Sequence, residues 1–395
     1  MKKSSQSLKI FIIAAEESGD RLGSAIIKGL RGVDPDIIIE GIGGAGMQDA
    51  GLEETLFPMT ELSLMGIAEI VPKIPHMLKR INQTVKAIEA LQPDIVITID
   101  GPEFCFRVQK KLKNMERRPK QVHVVAPSVW AWRPGRAAHI AEFLDAIICL
   151  FPFEPPYFEK EGMDAFYMGH PFLESLSQMP DKAKARQDFG LAPNDTVIGV
   201  YCGSRTQEVK RHADIFLKSL KRLEEKHSHK SLKLVFPTLP HLIEILKAKA
   251  EGFDFKNDPV FLTNQTEKKA IFKGLDMALA VSGTVGLELA LSDVPHVIGY
   301  KLNKLSYQII KRLVRIEHAH LANIMLKNEV VPEYLQNECN VDNLYSGLER
   351  LLIQPDFITR QKESFDRLIN ILQTPKAPSQ GSAEFILNLL NESAR

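Results

Sequence analysis

The sequence has no excess charge of either sign, few tryptophans and no long apolar run. Lys and Arg together number 50 and Asp and Glu number 49, so no overall positive field favours nucleic acid. The apolar stretch at residues 10–15 is too short for a signal peptide or a membrane span. We therefore expect a cytoplasmic protein that binds no nucleic acid.

Cysteine is also scarce, and the dinucleotide fingerprint G-x-G-x-x-G is absent. The four cysteines show neither metal-ligand spacing nor a disulfide framework, which fits a reducing compartment: Cys105, Cys149, Cys202 and Cys339. One Asp-x-Asp motif, of a form that holds a metal in some sugar-nucleotide enzymes, occurs at Asp34 and Asp36. It precedes a predicted strand and so lies at the wrong end of a sheet. We expect neither a metal nor a cofactor.

What the sequence does contain is a regular alternation of short apolar runs with helical patterns. Strands are predicted at 9–14, 36–40, 95–99, 121–125, 146–150 and 165–168, and then at 196–201, 232–236, 260–262, 277–281 and 297–300. Helices fall between them, for example at 18–31, 74–91 and 135–143. Strands that alternate with helices predict βαβ units and parallel sheets.

The alternation pauses in a polar stretch at 171–193, which we interpret as an interdomain connection. The prediction is an α/β protein with two Rossmann-like, doubly wound domains facing a cleft, at 1–172 and 173–365. The helices at 366–395 form a third segment, and packing back on the first domain is one arrangement open to it. Ligands of such domains bind at the carboxyl ends of the strands.

Two strand-to-helix turns in the second half have the form of phosphate sites. Ser282-Gly283-Thr284 follows one predicted strand, and Gly203-Ser204-Arg205 follows another. The unpaired N–H groups and the dipole of a helix start attract a phosphate, and an arginine fork matches phosphate oxygens. Glu288, one helical turn further on, could reach a sugar hydroxyl. Ordinary helix capping is the alternative at both turns.

Carboxylates follow two predicted strands in the first half. Glu16 comes after strand 9–14 and is followed by Ser18 and Asp20, either of which could cap the next helix. Asp100 comes directly after strand 95–99, where a carboxylate could act as general base towards a hydroxyl nucleophile. Helix capping is the alternative for Asp100. The Gly-rich segment 41–47 is either part of a site or a flexible turn.

Two further stretches are unusual. Trp130 and Trp132, the only tryptophans, share a proline-containing loop that forms either the wall of a site or a platform beneath the domain. The apolar stretch 62–80 is interrupted by Gly66, Pro72 and Pro75, so one regular helix is not expected there. It is either a core element or an exposed patch that docks on a membrane or accepts acyl chains.

Taken together, the motifs closely resemble those of lipid-A-disaccharide synthases, bacterial glycosyltransferases that join two acylated glucosamines. The resemblance runs from about Lys9 to Cys339. It rests on the segments 16–20, 41–44, 65–69, 100–104, 127–133, 169–171, 203–205 with Glu208, 282–284 with Glu288, and Asn323 with 335–336. The string Pro-Ser-Val-Trp-Ala-Trp-Arg at 127–133 is the most specific of these.

The resemblance implies the glycosyltransferase-B fold and transfer of 2,3-diacylglucosamine from UDP to the 6-hydroxyl of 2,3-diacylglucosamine 1-phosphate, with inversion and without a metal. It also implies work at the inner face of the cytoplasmic membrane and a homodimer with exchanged C-terminal segments. By matching motif, the catalytic residues are Asp100, Glu16 and Arg205. The implied UDP-binding residues are Gly203, Ser204, Arg205, Ser282, Gly283, Thr284, Glu288, Asn323 and Gln336. The implied acceptor or membrane residues are Ser18, Met65, Ile67, Ile70, Met77, Trp130, Trp132 and His170.

The chain departs from the usual family pattern beside these residues. Glu17 and Glu103 add bulk on the acceptor side, which leaves the acyl-chain preference open, and Cys202 and Ala322 replace prolines. Two other functions are alternatives on the same fold class. A UDP-N-acetylglucosamine 2-epimerase-like isomerase needs no apolar patch, and a non-catalytic nucleotide-sugar or lipid-binding protein has no use for so many charged groups at strand ends.

Overall fold

The computed structural model describes residues 7–62, 67–303, 307–308 and 317–392, without the side chains of 67–74 and 392. The chain divides into two compact units. Unit 1 consists of the described residues up to Pro171 together with those from Leu372 onward, and unit 2 consists of those from Phe172 to Ile371. Within the described residues, no helix is both long enough and apolar enough to cross a membrane.

Unit 1 is built on a parallel sheet of six strands: β1 Lys9–Ala14, β2 Ile38–Ile42, β3 Ile95–Ile99, β4 Lys120–Val124, β5 Ala146–Cys149 and β6 Asp164–Tyr167. The helices between them are α1 Glu17–Val33, α2 Ala45–Ala50, α3 Ile67–Leu91, α4 Pro102–Leu112, α5 Arg136–Ala141 and α6 Pro156–Glu159. The strand order is β2-β1-β3-β4-β5-β6. Because the chain leaves β1 in one direction and returns to its other side, the switch point of this sheet lies between β1 and β3.

Helix α3 contradicts the prediction that prolines break the stretch. It is one helix from Ile67 to Leu91, with Pro72 and Pro75 inside it. A proline inside a helix costs about 3 kcal/mol. Three apolar side chains of its later turns, Met77, Ile81 and Ile88, are buried, and each buried side chain returns about 1.5–3 kcal/mol. The two prolines together cost about 6 kcal/mol, a loss of the size that packing on the sheet can offset.

Unit 2 is built on a second parallel sheet of six strands: β7 Thr196–Tyr201, β8 Leu232–Pro237, β9 Val260–Leu262, β10 Met277–Ala280, β11 His296–Tyr300 and β12 Glu333–Leu335. Its helices include α7 Pro171–Leu176, α8 Lys182–Asp188, α9 Thr206–Lys226, α10 Ile243–Glu251, α11 Gln265–Ala270, α12 Thr284–Leu291, α13 Leu321–Leu326, α14 Val341–Ile353 and α15 Pro355–Leu372. The strand order is β12-β11-β10-β7-β8-β9, so the switch point lies between β7 and β10.

One part of the chain differs from its sequence-based interpretation, and another takes the arrangement that the sequence left open. The polar stretch 171–193 contains α8, whose Arg186 is buried and donates hydrogen bonds to Gly274 O (3.1 Å) and to Asp276 (2.5 Å). It is therefore packed into unit 2 and is not a linker. The C-terminal helix, α16 Pro378–Glu392, places Ala383, Ile386 and Leu389 in the core of unit 1, beside α1.

Candidate functional site

Two predicted carboxylates lie at the switch point of unit 1. Ala14 pairs with Ile99 in adjacent strands, so Glu16 and Asp100 follow the sheet at the same edge. Glu16 is exposed and occupies the N-cap position of α1. Asp100 is half-buried at the start of the connection to α4. The carboxyl edge at a switch point is where open α/β sheets bind ligands, so the two acids stand where the sequence predicts chemistry.

The turn that carries Asp100 is tightly constrained. Asp100 and Gly101 both have left-handed backbone conformations, with φ of +53° and +52°. The Asp100 N–H donates to Val124 O (3.0 Å), and its Oδ1 accepts from the Gly101 N–H (2.8 Å). A Cβ on residue 101 would lie 2.2 Å from the Cβ of Ala15, so only glycine fits. Residues held in sparsely populated conformations cluster at functional sites, which agrees with a positioned carboxylate.

Asp20 does not cap α1, as one interpretation of the sequence proposed. Its carboxylate instead accepts hydrogen bonds from the N–H groups of Gly44 (2.7 Å), Gly46 (2.9 Å) and Met47 (3.1 Å), at the start of α2. Asp20 is 6% exposed, so this contact is internal. Backbone N–H groups of the Gly-rich segment 41–47 are consequently already bound by a carboxylate of the protein. Ser18, the other proposed cap, is exposed in the first turn of α1.

The tryptophan loop, residues 127–133, follows β4. It is held by the carboxylate of Glu154, which was not predicted from the sequence. The Trp130 Nε1–H donates to Glu154 Oε1 (3.0 Å), while Oε2 accepts from the N–H groups of Leu150 (3.1 Å) and Phe151 (3.0 Å). Glu154 is 2% exposed. Burial raises the pKa of Glu154 to about 7, although its hydrogen bonds from Trp130 and the backbone act in the opposite direction. The only signal in the sequence was an acid among prolines, at 152–156.

Among the side chains that the structure describes, Trp130 belongs to an aromatic cluster and Trp132 does not. Trp130 meets Phe153 edge-on at 5.1 Å, Phe153 stacks on Phe151 at 5.7 Å, and Phe151 stacks on His170 at 6.3 Å. Burial lowers the pKa of His170 to about 4, so the ring is neutral at pH 7. Trp132 is 38% exposed. Trp130 therefore fits the interpretation of a platform beneath the domain, and the wall of a site stays a prediction for Trp132.

In unit 2, the Gly203-Ser204-Arg205 turn also contains an internal carboxylate. Glu208 Oε2 accepts from the N–H groups of Ser204 (3.1 Å) and Arg205 (3.3 Å), and Oε1 accepts from the Arg205 guanidinium (3.2 Å). Gly203 has φ of +117°, and a Cβ there would lie 2.6 Å from the Cβ of Glu208. The Arg205 side chain is 72% exposed, so it can also meet a ligand. The turn is thus both a capped helix start and an accessible cation.

The Ser282-Gly283-Thr284 turn stands beside it. Tyr201 pairs with Ala280, and the Val281 N–H donates to Tyr201 O (3.0 Å), so the two turns follow adjacent strands. Gly283 and Thr284 are exposed, and Glu288 is half-buried on the next turn of α12. The Ser282 hydroxyl donates to Ala319 O (3.0 Å) and does not cap the helix start.

Asn323, predicted to contact UDP, is fully buried. Its Oδ1 accepts from the N–H groups of Val330 (2.9 Å) and Val331 (3.0 Å). Its Nδ2 donates to Val331 O (2.8 Å) and Glu333 Oε1 (2.6 Å). This arrangement is at odds with a direct UDP contact, because the whole amide is already engaged inside the protein.

The network behind Asn323 leads to the Ser282 turn. Glu333 accepts from the N–H groups of Ala319 (2.7 Å) and His320 (3.0 Å), and Ala319 O is the acceptor for the Ser282 hydroxyl. Asn323 therefore supports the segment that fixes Ser282. Gln336 follows the short strand β12, is half-buried, and donates its N–H to Tyr300 O (2.8 Å).

A buried histidine pair under α12 was not foreseen. His320 Nδ1 accepts from the Ala322 N–H (3.0 Å), so its Nε2–H is the donor towards His296 Nε2 (2.9 Å). His296 in turn donates from Nδ1 to Val294 O (2.8 Å). Burial lowers the pKa of His296 to about 4 and that of His320 well below its usual value. Both rings are therefore neutral at pH 7.

The predicted membrane-facing residues are only partly within the described chain. Met65 and the side chains of Ile67 and Ile70 lie outside the described residues. Met77 is 8% exposed and packs in the core of unit 1, so the prediction that it belongs to an exposed patch is wrong. The continuous helix α3 turns Met77 inward with Ile81. Across the side chains that the structure describes, no group of three or more His, Cys, Asp or Glu is arranged to hold a metal ion.

Comparisons with known proteins identify the family. The family model described as lipid-A-disaccharide synthetase matches residues 10–384. A lipid-A-disaccharide synthase of Rhodospirillum centenum is 40% identical, over 98% of this chain and 95% of that protein. One from Ruegeria pomeroyi is 41% identical, over 88% of this chain and 87% of that protein. The chain belongs to the lipid-A-disaccharide synthase family. It is therefore a glycosyltransferase enzyme of lipid A biosynthesis.

Solved structures agree on the fold. A UDP-GlcNAc 2-epimerase from Neisseria meningitidis has a TM-score of 0.63 at 11% identity, over 97% of this chain and 99% of that chain. A glycosyltransferase from Rickettsia africae has a TM-score of 0.57 at 12% identity, over 99% of both chains. The fold is glycosyltransferase-B. At these identities the likeness to the epimerase extends to the fold alone, and the family match favours the synthase over the isomerase considered above.

Proposed function

We propose that this family member transfers 2,3-diacylglucosamine from UDP to the 6-hydroxyl of 2,3-diacylglucosamine 1-phosphate, giving the β-1,6-linked disaccharide 1-phosphate and UDP. The observation that carries the proposal is the place of the predicted residues on the two sheets. Asp100 and Glu16 flank the switch point of unit 1, while Arg205 and the Ser282 turn flank that of unit 2. Each set follows the carboxyl edge of its sheet, where ligands of such folds bind.

Unit 2 is proposed to bind the UDP portion of the donor. Arg205 is an exposed cation beside the exposed start of α12, and a helix start attracts a diphosphate through its N–H groups and dipole. These groups would stabilise the negative charge that grows on UDP as its bond to the sugar breaks. Glu288, Gln336 and the Ser282 turn are proposed to bind the rest of UDP. In this scheme no metal is required.

Unit 1 is proposed to activate the acceptor. Asp100 takes the proton of the 6-hydroxyl, and the oxygen attacks the anomeric carbon on the face opposite UDP. The bond between that carbon and the diphosphate oxygen breaks, UDP leaves, and the configuration inverts. Glu16 is the second essential acid, and it is the alternative base. The constrained backbone around Asp100 supports the first assignment, since a fixed carboxylate loses little freedom on reaching the reactive geometry.

The test of the base uses Asp100→Asn. Asparagine tolerates the left-handed backbone and can still accept from the Gly101 N–H, so only the basic oxygen is lost. We expect turnover to fall about 10²–10⁴-fold, measured as disaccharide and UDP formed from the two acylated substrates. UDP binding should persist, because its proposed ligands are in unit 2. The matched control is Asp36→Asn, which makes the same change on an exposed residue just before β2. Near-normal turnover in Asp100→Asn would eliminate Asp100 as the base.

Metal independence has its own test. We expect full activity after exhaustive treatment with EDTA, because Arg205 and the start of α12 are proposed to stabilise the leaving diphosphate. Activity that disappears in EDTA and returns with Mg²⁺ or Mn²⁺ would contradict this part of the scheme.

The remaining partners are also proposals. We propose that the N-terminal half of α3 associates with the inner face of the cytoplasmic membrane, supported by the family and by Leu78, which is 46% exposed on that helix. Replacing Ile67, Ile70 and Leu78 with Ser should release the protein from phospholipid vesicles, and unchanged sedimentation would count against it. A homodimer with exchanged C-terminal segments stays a prediction. In the structure, α16 packs on α1 of the same chain.

A further inference from the structure

Glu154 is a buried carboxyl group that the scheme above does not use. It belongs to none of the motifs that carry the family resemblance, and it is 2% exposed. Removing a carboxylate from water is costly unless hydrogen bonds compensate it, and an apolar residue would usually stabilise the same site at least as well. A buried acid of this kind therefore calls for a role other than packing.

Both oxygens of Glu154 are engaged, and each joins a different loop. Oε1 accepts from the indole of Trp130, which lies in the loop after β4. Oε2 accepts from the N–H groups of Leu150 and Phe151, which directly follow β5. Strands β4 and β5 are neighbours in the sheet, so the carboxylate ties together two loops at the same carboxyl edge.

The same edge of the sheet carries the proposed base, Asp100. Strand β4 also neighbours β3, and the Asp100 N–H donates to Val124 O, the last residue of β4. The tryptophan loop begins immediately after Val124. It carries Trp132, which is 38% exposed and has the Arg133 guanidinium 4.4 Å from its ring centre. An exposed indole with a neighbouring cation is suited to an acylated sugar phosphate, because it offers an apolar face and a positive charge together.

We propose that Glu154 is a positioning residue for the acceptor, holding Trp130 so that the loop at 127–133 presents Trp132 and Arg133 beside Asp100. This inference rests on the proposed function, since it names the part of unit 1 that orients the acylated acceptor. Glu154 itself touches no substrate. Its effect is transmitted through the indole N–H of Trp130 and the backbone of the loop.

The chemistry of the contact dictates the variants. Glutamine at 154 has the same shape, but its amide would turn a donor either towards the Trp130 indole N–H or towards the two backbone N–H groups. Glu154→Gln therefore breaks one of the two anchors in either orientation. Trp130→Phe keeps an aromatic ring in the cluster and removes the donor. Glu159→Gln, on the exposed side of α6, makes the same change of charge as a control.

The kinetic readout separates positioning from general damage. We expect Glu154→Gln to raise the KM of the acceptor about tenfold, the effect of losing a charge-assisted hydrogen bond, and to leave the KM of the UDP-sugar within about twofold. Trp130→Phe should act in the same direction. The double variant should lose less than the product of the two single effects, since both remove one interaction. Glu159→Gln should match the unmodified enzyme.

A spectroscopic readout does not depend on activity. The chain has two tryptophans, so ¹⁵N-labelled protein gives two indole signals. The signal of Trp130 should shift with pH with a midpoint near 7, as Glu154 gains its proton, and should lose this dependence in Glu154→Gln. The other ionisable groups against this carboxyl are Cys149 and Tyr167, whose pKa values are raised by burial, and His170 lies in the same cluster with a lowered pKa. None of these three titrates near pH 7.

The outcomes are distinct. A rise in the acceptor KM alone, together with the Trp130 titration, supports the proposal. An equal rise in both KM values, a loss of kcat at unchanged acceptor KM, or a Trp130 signal that is the same in Glu154→Gln as in the unmodified protein overturns it. If Glu154→Gln fails to fold, Trp130→Phe decides by the same KM comparison. If the unmodified enzyme forms no disaccharide, the proposed function fails, while the indole titration still tests the contact between Glu154 and Trp130.

Discussion

Replacing Asn323 with Ala distinguishes a residue that supports the site from one that contacts UDP. The resemblance to the family implies a UDP contact, whereas the structure engages the whole amide inside unit 2. Asn323→Ala removes two acceptor contacts, to the N–H groups of Val330 and Val331, and two donor contacts, to Val331 O and Glu333. All of these partners would remain around the buried position 323 without their amide.

The expected loss of unfolding free energy follows from the groups that lose Asn323 as a hydrogen-bond partner. An unsatisfied buried group costs about 1–3 kcal/mol, and four groups lose a partner. Glu333 keeps hydrogen bonds from Ala319 and His320, and a water molecule can enter the space of the lost amide, so the groups do not all lose the maximum. We therefore expect unit 2 to lose about 3–5 kcal/mol of unfolding free energy, which is at the large end for single substitutions.

The assay must report on unit 2 alone, because the two units need not unfold together. Hydrogen exchange measured by mass spectrometry should show faster exchange at the amides of Val330 and Val331. Tryptophan fluorescence reports on unit 1, where both tryptophans lie, and its urea transition should stay in place. Asn337→Ala is the matched control, since Asn337 is exposed and such changes usually stay within about 0.5 kcal/mol.

The contrary result is equally clear. If Asn323→Ala keeps the exchange rates and the unfolding free energy of the unmodified protein but loses UDP affinity in calorimetry, Asn323 is a direct ligand. The arrangement of its amide described above would then not be that of the UDP-bound enzyme.

Two further predictions concern conformation and pH. Gly101→Ala should destabilise unit 1 by about 2–4 kcal/mol, since it combines a left-handed backbone with a clash against Ala15. Gly162→Ala, also left-handed but with open space, should cost only about 1 kcal/mol in the same urea titration. The lowered pKa values of His296 and His320 mean that the folded protein binds fewer protons than the unfolded chain. Stability should therefore fall as pH drops from about 6.5 towards 4. His320→Asn, which can still cap α13, should reduce the loss between pH 7 and 5 by about 1–2 kcal/mol, and an unchanged loss would contradict this origin.

The sequence predicted the elements whose own residues decide their structure. Strand β3 is a run of β-branched residues between a proline-containing turn and Asp100, and its predicted bounds match the structure. Strand β12 has three residues, too few to show a period, and it forms because β11 supplies an edge. Helix α3 was predicted to break at its prolines. Its packing on the sheet, which stabilises the helix, is not visible in the local sequence.

For the site, the sequence predicted the positions of two carboxylates but not the contacts of two others. Asp100 and Glu16 could be found because the strands that precede them are evident and parallel strands end at a common edge. The contacts of Asp20 and Glu154 could not, because each carboxylate meets N–H groups in segments that only the fold brings together. A motif match indicated that position 323 matters. It could not show that the side-chain amide at this position makes its hydrogen bonds within the protein.

The helix starts near the predicted sites differ in which side chain already binds their N–H groups. This difference narrows the choice of a diphosphate site. At α2 the N–H groups are closed by Asp20, and at the turn before α9 they are bound by Glu208. At α12 no side chain that the structure describes caps the helix, and the Ser282 hydroxyl, which could have done so, donates to Ala319 O. A diphosphate would compete with a carboxylate at the first two places and with water at the third. This favours the start of α12 as the proposed anion site, with Arg205 reaching it from the neighbouring turn.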